Sequence, residues 1–444
     1  MTRVVVLSDL HLAIPGPLNN FHAGDSLAAF VAEQARNDTT CILAGDGFDF
    51  LQIDGRPSTL SAAQMPAQIQ QTLDALTDAD WGRRFFAALH KLLACGGRLV
   101  VLPGNHDPEL AHPCFTEKLL SKAGLPATHP GLIVQASGPW HVQLGAREVV
   151  VGHGHRGDPW NDIDPFNVQA ALAGKDHPLP PGSRLVTDVL NVFKHQRTAH
   201  GELRFPFVDL LKPEVPAVPL LLLYLDHWLA MRHLPRALGL TAAMLAKKVG
   251  KMLLGTATLA GDARQNTDDA SPVDDMAWAL AQTYSDVQKR NPARCADELI
   301  EWLDSDARDD SPPVEGTLAA HGGMRARMLR AFLLLASDRG RFFDRHHRSG
   351  DDNRIINAYL PVGTPPRVLI AGHTHAAREV WISQEHVYLN TGTWTDLMAL
   401  PSTLDDATLK TWIDQLEQRS VPRVKRLTWA EVTADQVALH DAIA

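Results

Sequence analysis

Five short segments of this 444-residue chain set histidine, aspartate and asparagine at spacings that suit metal ligation. Asp9 and His11 stand two positions apart, so both can face one ion once the chain turns. In Gly45-Asp46-Gly47-Phe48-Asp49 a glycine permits a tight turn, and Asp46 is placed to bridge two cations. Gly104-Asn105-His106-Asp107 joins a neutral hard ligand, the Asn amide oxygen, to an imidazole able to reach a substrate oxygen. Gly152-His153-Gly154-His155 and Gly372-His373-Thr374-His375 each put two imidazoles on one side of an extended chain, where they can converge on a metal or a metal pair. Taken singly, each segment has a plainer reading as a capped turn, an Asx turn or a satisfied structural histidine. Two His-x-His segments in the same chain are poorly explained that way. Together the five point to a metal site.

Strands must position these residues. Val4–Leu7, Cys41–Ala44 and Leu99–Leu102 are short apolar runs, and each ends at one of the motifs. Helical spacing separates them at Ser26–Arg36 (Leu27, Phe30, Val31) and at Trp81–Ala94 (Phe85, Leu89, Leu92, Leu93), the latter stopped by Gly96-Gly97. This β-α-β-α-β pattern predicts an α/β domain, in which ligand sites lie beyond the carboxyl ends of the strands. Ile133–Gln135, His141–Leu144 and Glu148–Val151 predict a strand meander with a turn at Ser137-Gly138-Pro139. From about residue 161 to 360 the pattern turns helical, with Pro breaks and acidic patches. Leu220–Trp228, Leu238–Leu254, Met276–Val287, Ala296–Leu303 and Met324–Leu335 carry it, with a loop-like stretch at Gly261–Asp275. Strands resume at Val368–Ala371, Glu379–Ile382 and Val387–Asn390. The expected organisation is a core in two parts, 1–160 and 361–444, the second with a C-terminal extension, around a helical insertion at 161–360.

Composition narrows the class. The length is a soft prior for two or three domains, and 45% hydrophobic residues exclude general disorder. A net charge of −9 argues against general affinity for nucleic acid or anionic membrane. Four cysteines with no close pairs exclude a disulfide framework and a Cys-based zinc finger. The longest apolar stretch, Leu220–Leu225, is far short of the roughly 20 residues that span a bilayer. Val4–Leu7 is too short for a signal-peptide core. The expectation is a soluble, cytoplasmic protein. Its one anomaly is 21 histidines against 4 tyrosines.

The blocks resemble, in order, the signature of the calcineurin-like metallophosphoesterases: Asp-x-His, Gly-Asp-x-x-Asp, Gly-Asn-His-Asp/Glu, His, and Gly-His-x-His. The resemblance covers residues 1–160 and roughly 365–400. It implies an α/β (α+β) fold, a four-layer α-β-β-α sandwich with a two-metal site at one edge. It also implies Asp9, His11 and His375 on one metal, Asn105, His153 and His373 on the other, and Asp46 bridging. His153 is preferred to His155 because the family's fourth-block His is usually followed by Gly. The second block lacks the Gly-Asp-x-Val-Asp-Arg-Gly form of the serine/threonine protein phosphatases, and Asp107 stands where they have Glu, so that branch is disfavoured. Gly45–Phe50 and Tyr388–Trp394 look more like bacterial phosphoesterases related to the UDP-2,3-diacylglucosamine hydrolases. The insertion resembles nothing assignable, so no particular substrate is implied.

In such a site two divalent ions about 3.5–4 Å apart hold a bridging hydroxide that attacks phosphorus in line. His106 is the expected proton donor, with Asp107 or Asp9 holding its tautomer. The His/Asp/Asn donor set suits Mn, Fe or Zn. Arg156, close to His153, is the expected contact for a substrate phosphate. Arg339, Arg341, Arg345, His346, His347, Arg348 and Arg354 form a basic cluster. It reads better as a solvated face paired with Asp338, Asp344, Asp351 and Asp352 than as a phosphate site. Phe207–Leu254, with Lys247, Lys248 and Lys251, reads better as the insertion's own core than as a lid for peripheral lipid contact. The expected activity is hydrolysis of a small phosphorylated substrate: a phosphomonoester, a phosphodiester or a nucleotide-linked pyrophosphate. A nuclease is disfavoured by the charge and by the lack of an aromatic-basic stripe. A non-catalytic metal-binding scaffold is disfavoured because every block is filled. Nothing in the sequence specifies the oligomeric state.

Overall fold

The computed structural model describes residues 3–211, 217–239, most of 329–359, and 368–442 apart from Leu404. The predicted segments Met276–Val287, Ala296–Leu303 and Gly261–Asp275 lie outside the described residues. So do Lys247, Lys248, Lys251, Arg339, Leu238–Leu254 beyond Gly239 and most of Met324–Leu335.

The fold is mixed α/β, built around two large sheets. The strands are β1 (Arg3–Leu7), β2 (Thr39–Ala44), β3 (Arg98–Leu102), β4 (Leu132–Val134), β5 (Trp140–Leu144), β6 (Arg147–Val151), β7 (Val368–Ala371), β8 (Ala377–Trp381), β9 (Val387–Thr391), β10 (Leu427–Thr433) and β11 (Val437–Ala442). One sheet runs β11-β10-β1-β2-β3-β4 and the other β8-β9-β7-β6-β5. β1, β2, β3 and β4 pair in parallel, as do β6, β7 and β9; the hairpin β10–β11 adds to β1 antiparallel.

Side chains alternate across a strand, so a strand apolar at every position must be covered on both faces. Val4 and Val6, Ile42 and Ala44, and Val100 and Leu102 meet Val149, Val151, Val368, Ile370 and Leu389 in one apolar cluster that spans both sheets. The alternate residues Val5, Leu7, Cys41, Leu43, Leu99 and Val101 face helices instead. These include α1 (Gly24–Glu33), α2 (Met65–Asp78), α3 (Asp80–Ala94) and α4 (Cys114–Lys122). On the second sheet Val150, Leu369 and Tyr388 face the other way. Within 152–237, α5 (Pro165–Leu172), a helical stretch over 181–194 with a π-helical turn at Val186–Leu190, α6 (Val218–Leu225) and α7 (His227–Ala237) bury Val168, Phe193, Leu221 and Leu234. These join the same cluster as Leu27 and Phe85. The second sheet's other face packs α8 (Gly350–Tyr359) through Ile355 and Ile356. Among the described residues, no helix is long and apolar enough to cross a membrane.

Two local expectations fail. The meander does not exist: β4 pairs with β3 in one sheet, while β5 and β6 form a hairpin in the other, so Ser137-Gly138-Pro139 carries the chain between sheets. The helix expected over Leu220–Trp228 is two helices. Asp226 adopts an extended conformation (φ −156°, ψ 93°) and its carboxylate accepts the Leu229 amide at 2.9 Å, ending α6 and capping α7.

Candidate metal centre

The parallel strands β1, β2, β3, β6 and β7 each deliver a polar motif just beyond their carboxyl ends. Backbone pairing locks the first two loops together: the Asp9 amide donates to the Gly45 carbonyl at 3.1 Å, and the His11 amide to the Asp46 carbonyl at 2.9 Å. The loops are strained. Asp9 (φ 52°), His11 (φ 51°), Asp46 (φ 48°), His373 (φ 72°) and His375 (φ 57°) all occupy the left-handed region. Each such residue costs on the order of 1–3 kcal/mol and persists only where its surroundings over-determine it. Packing leaves no slack: a Cβ on Gly45 would overlap the His153 ring, and one on Gly104 the Asp46 carboxylate.

Among the described residues, three groups of ligand atoms fall within 4.8 Å of one another: Asp9/His11/His375, Asp9/Asp46/His153 and His11/Asp49/His106. His11 Nε2 lies 3.1 Å from His375 Nε2, and His375 Nε2 lies 3.3 Å from Asp9 Oδ1. His153 Nε2 lies 3.1 Å from both Asp46 Oδ2 and Asn105 Oδ1. Ligands ~2.1 Å from one ion lie about 3.0–3.4 Å apart at octahedral or tetrahedral angles, so these separations suit shared cations. Asp46 Oδ2 is buried and accepts no hydrogen bond, and a bound cation would remove the cost of that orphaned acceptor. Buried His/Asp groups here could therefore hold a metal ion.

Electrostatics lead the same way. Asp9, Asp46 and Asp49 are at most 1% exposed. Burial raises their carboxyls, but nearby imidazoles outweigh it and hold all three below the usual range. Burial lowers His153, yet Asp46 and its neighbours push it up to about 9. Buried carboxylates in this number need positive charge beside them, which protonated histidines or a cation can supply.

The partners of the other ring nitrogens fix which atom each histidine presents. His153 Nδ1 is 3.0 Å from the Ala44 carbonyl, and His11 Nδ1 is 2.9 Å from Asp49 Oδ2, so each presents Nε2 to its cluster. His106 Nδ1 is also 2.9 Å from Asp49 Oδ2. The carboxylate on His106 is thus Asp49, not the expected Asp107 or Asp9. Asp107 spends its oxygens on the amides of Gly104, Asp46 (3.2 Å) and Phe48 (3.1 Å), tying the second loop to the third. Burial and the Asp46 charge push its carboxyl up to about 7.

No family model and no curated protein matches this chain.

The structure therefore brings together Asp9, His11, Asp46, Asn105, His106, His153 and His375. His373 joins by its backbone: its amide donates to Asp9 Oδ2 at 2.9 Å, while its ring lies 5.3 Å from that of His153. Its Nε2 is 2.8 Å from Asp158 Oδ2. His155 is buried 5.3 Å from the His153 ring, its Nδ1 without a partner, and burial drives its imidazole well below the usual range. Arg156 is occupied elsewhere, with Nη1 3.0 Å from both Asp162 Oδ1 and the Ile163 carbonyl. Three members of the basic cluster pair with carboxylates. Arg345 holds Glu379 at 2.7 Å, His347 holds Asp338 at 2.7 Å, and Arg354 holds Asp351.

Sequence reasoning assigned no role to Asp49, Asp158 or Asn390. Asp49 stood in view three residues after Asp46, a spacing that marks it as a partner of the same loop. Asn390 Nδ2 donates to the Gly372 carbonyl at 2.7 Å and to Thr374 Oγ1 at 3.0 Å, bracing the loop that carries His373 and His375. Asp158 and Asn390 act across long sequence separations, and no local pattern marks them.

Proposed function

We propose that this chain is a binuclear metal-dependent phosphoesterase of the calcineurin-like type. The observation that carries the reading is the convergence of His11, His375 and Asp9, and of Asp46, His153 and Asn105, on two adjoining sets of ligand atoms at the strand ends. The four-layer α-β-β-α sandwich belongs to the same reading. It is supported by one apolar cluster spanning both sheets and by helices packed on each outer face.

Asp9, His11 and His375 would hold one divalent ion and Asn105, His153 and His373 the other, with Asp46 shared. Mn, Fe or Zn suits these N and O donors. Bound there, the ions would polarise a phosphoryl oxygen and acidify an attacking water. Asp49 accepts from Nδ1 of His106 and sets its ring plane, so that Nε2 is the atom through which His106 would exchange a proton with the leaving oxygen of the ester. Asp107 holds the backbone that aims Asp46 and forms no part of the proton path. The substrate class is a phosphomonoester, a phosphodiester or a nucleotide-linked pyrophosphate.

The test is hydrolysis of a chromogenic phosphomonoester, a phosphodiester and a panel of nucleotide-diphosphate conjugates, with Mn(II) and after chelation. Turnover of at least one, lost on chelation and reduced at least about 100-fold in Asp46→Ala and His153→Ala, is the expected result. Unimpaired hydrolysis by either variant would refute the reading. Metal binding without turnover of any substrate in the panel would favour a scaffold.

A further inference from the structure

Asp158 lies outside all five motifs, yet its carboxylate meets the ring of His373 in the buried interior. Oδ2 is 2.8 Å from His373 Nε2 and accepts from Asn161 Nδ2 at 3.0 Å, while Oδ1 accepts the Trp160 amide at 2.9 Å. On its outer side Arg354 of α8 places Nη2 3.6 Å from Oδ2, and Arg354 itself pairs with Asp351. Both oxygens already accept from N–H donors and a guanidinium stands beside them, so toward His373 the Asp158 carboxylate is an acceptor.

An acceptor on Nε2 requires the proton there, and a neutral imidazole with Nε2–H has its lone pair on Nδ1. We propose that Asp158 is a positioning residue for the metal centre: it fixes His373 as the Nε2–H tautomer, so that Nδ1 is the coordinating atom, and Arg354 anchors that carboxylate from α8. This assignment rests on the phosphoesterase reading above. It sets His373 apart from His11 and His153, whose Nδ1 atoms face Asp49 and the Ala44 carbonyl and which present Nε2. It also gives α8 a direct line to the centre. That line runs from Arg354 through Asp158 to a histidine on the loop after β7.

The decisive variant is Asp158→Asn. Asparagine keeps the volume and the Oδ1 acceptor that takes the Trp160 amide, so the turn at 158–161 survives, while the Oδ2 acceptor on His373 is replaced by an N–H donor. Two readouts follow, neither of which is activity. In the metal-free chain labelled with 15N-histidine, long-range imidazole correlations report the tautomer, with His373 assigned by its absence in His373→Ala. Wild type is expected as Nε2–H, and Asp158→Asn as a mixture or the Nδ1–H form. In titrations with Mn(II), one of two sites is expected to weaken by roughly 10–100-fold in Asp158→Asn and the other to stay unchanged. Arg354→Gln leaves the carboxylate on His373 in place and serves where Asp158→Asn does not fold. It is expected to give a smaller loss at the same site. Two ions bound with wild-type affinity by Asp158→Asn, or an Nδ1–H tautomer in wild type, would overturn this proposal alone. A wild-type chain that binds no Mn(II) would overturn the phosphoesterase reading and this proposal with it.

Discussion

One carboxylate serves two histidines of different roles. Asp49 Oδ2 sits 2.9 Å from Nδ1 of His11 and 2.9 Å from Nδ1 of His106, and takes a third contact from Gln52 Nε2 at 2.6 Å. Oδ1 accepts the Leu51 amide at 3.0 Å, which begins the short 3-10 turn Phe50–Gln52. Asp49→Asn keeps the shape but puts an amide where two N–H donors converge, so one of the rings must turn or change tautomer. Loss of such an outer partner typically lowers affinity or activity about 10–100-fold. Here both metal affinity and kcat should fall, because one substitution disturbs a ligand and the proton donor together. Mn(II) titration run beside steady-state kinetics checks this. A fall in kcat with metal affinity unchanged would mean that Asp49 matters only to His106.

The strands were legible because burial on both faces leaves unbroken apolar runs, and Val4–Leu7, Cys41–Ala44, Leu99–Leu102 and Val368–Ala371 appear as strands within a residue or two. The hairpin β10–β11 was not. It lies at the sheet edge, where a strand covered on one side carries polar residues, so Glu431, Thr433 and Asp441 masked it. Its attachment to β1 includes an ion pair, with Arg3 Nε 2.6 Å from Glu431 Oε1 and Nη2 3.0 Å from Oε2. That hydrogen-bonded pair holds Glu431 below its ordinary range against a smaller opposing effect of burial. A depressed folded-state value means that the pair stabilises fully above the unfolded glutamate range, about 4.3, and fades as pH falls through and below it. The pair is part-buried but still reached by solvent, so it is worth on the order of 1 kcal/mol. Thermal unfolding of wild type and Glu431→Gln should therefore differ slightly at pH 7 and converge near pH 3. A gap that persists at pH 3 would assign the effect to packing of the side chain. The helix break at Asp226 was hidden for a similar reason: a lone acidic residue between apolar runs reads as a solvated position, although here it caps a new helix.

Across the whole molecule, the site was more legible than the scaffold that closes it. Ligand motifs are local words in the sequence. The contacts that aim them, Asp158 to His373 and Asn390 to the Gly372 carbonyl, join segments that sequence separates and topology unites. The same topology makes metal binding a statement about global stability. Asp9 and Asp46 come from loops of one sheet, His153 and His375 from loops of the other, and the two sheets share one apolar core. In the unfolded chain these ligands scatter over more than 360 residues of sequence, so an ion held by the native cluster has little affinity for the unfolded state. Linkage then gives about 2.7 kcal/mol for each ion present at 100 times its dissociation constant. Strain reinforces the effect, since five left-handed residues and buried carboxylates weaken the metal-free loops. Mn(II) should raise the Tm of wild type and chelation should lower it. His153→Ala should keep part of the shift, because Asp9, His11 and His375 remain. His153→Ala/His375→Ala, which removes a ligand from each set, should abolish it. A Tm indifferent to Mn(II) and to chelation would contradict metal binding by the folded centre, whatever activity the preparation shows.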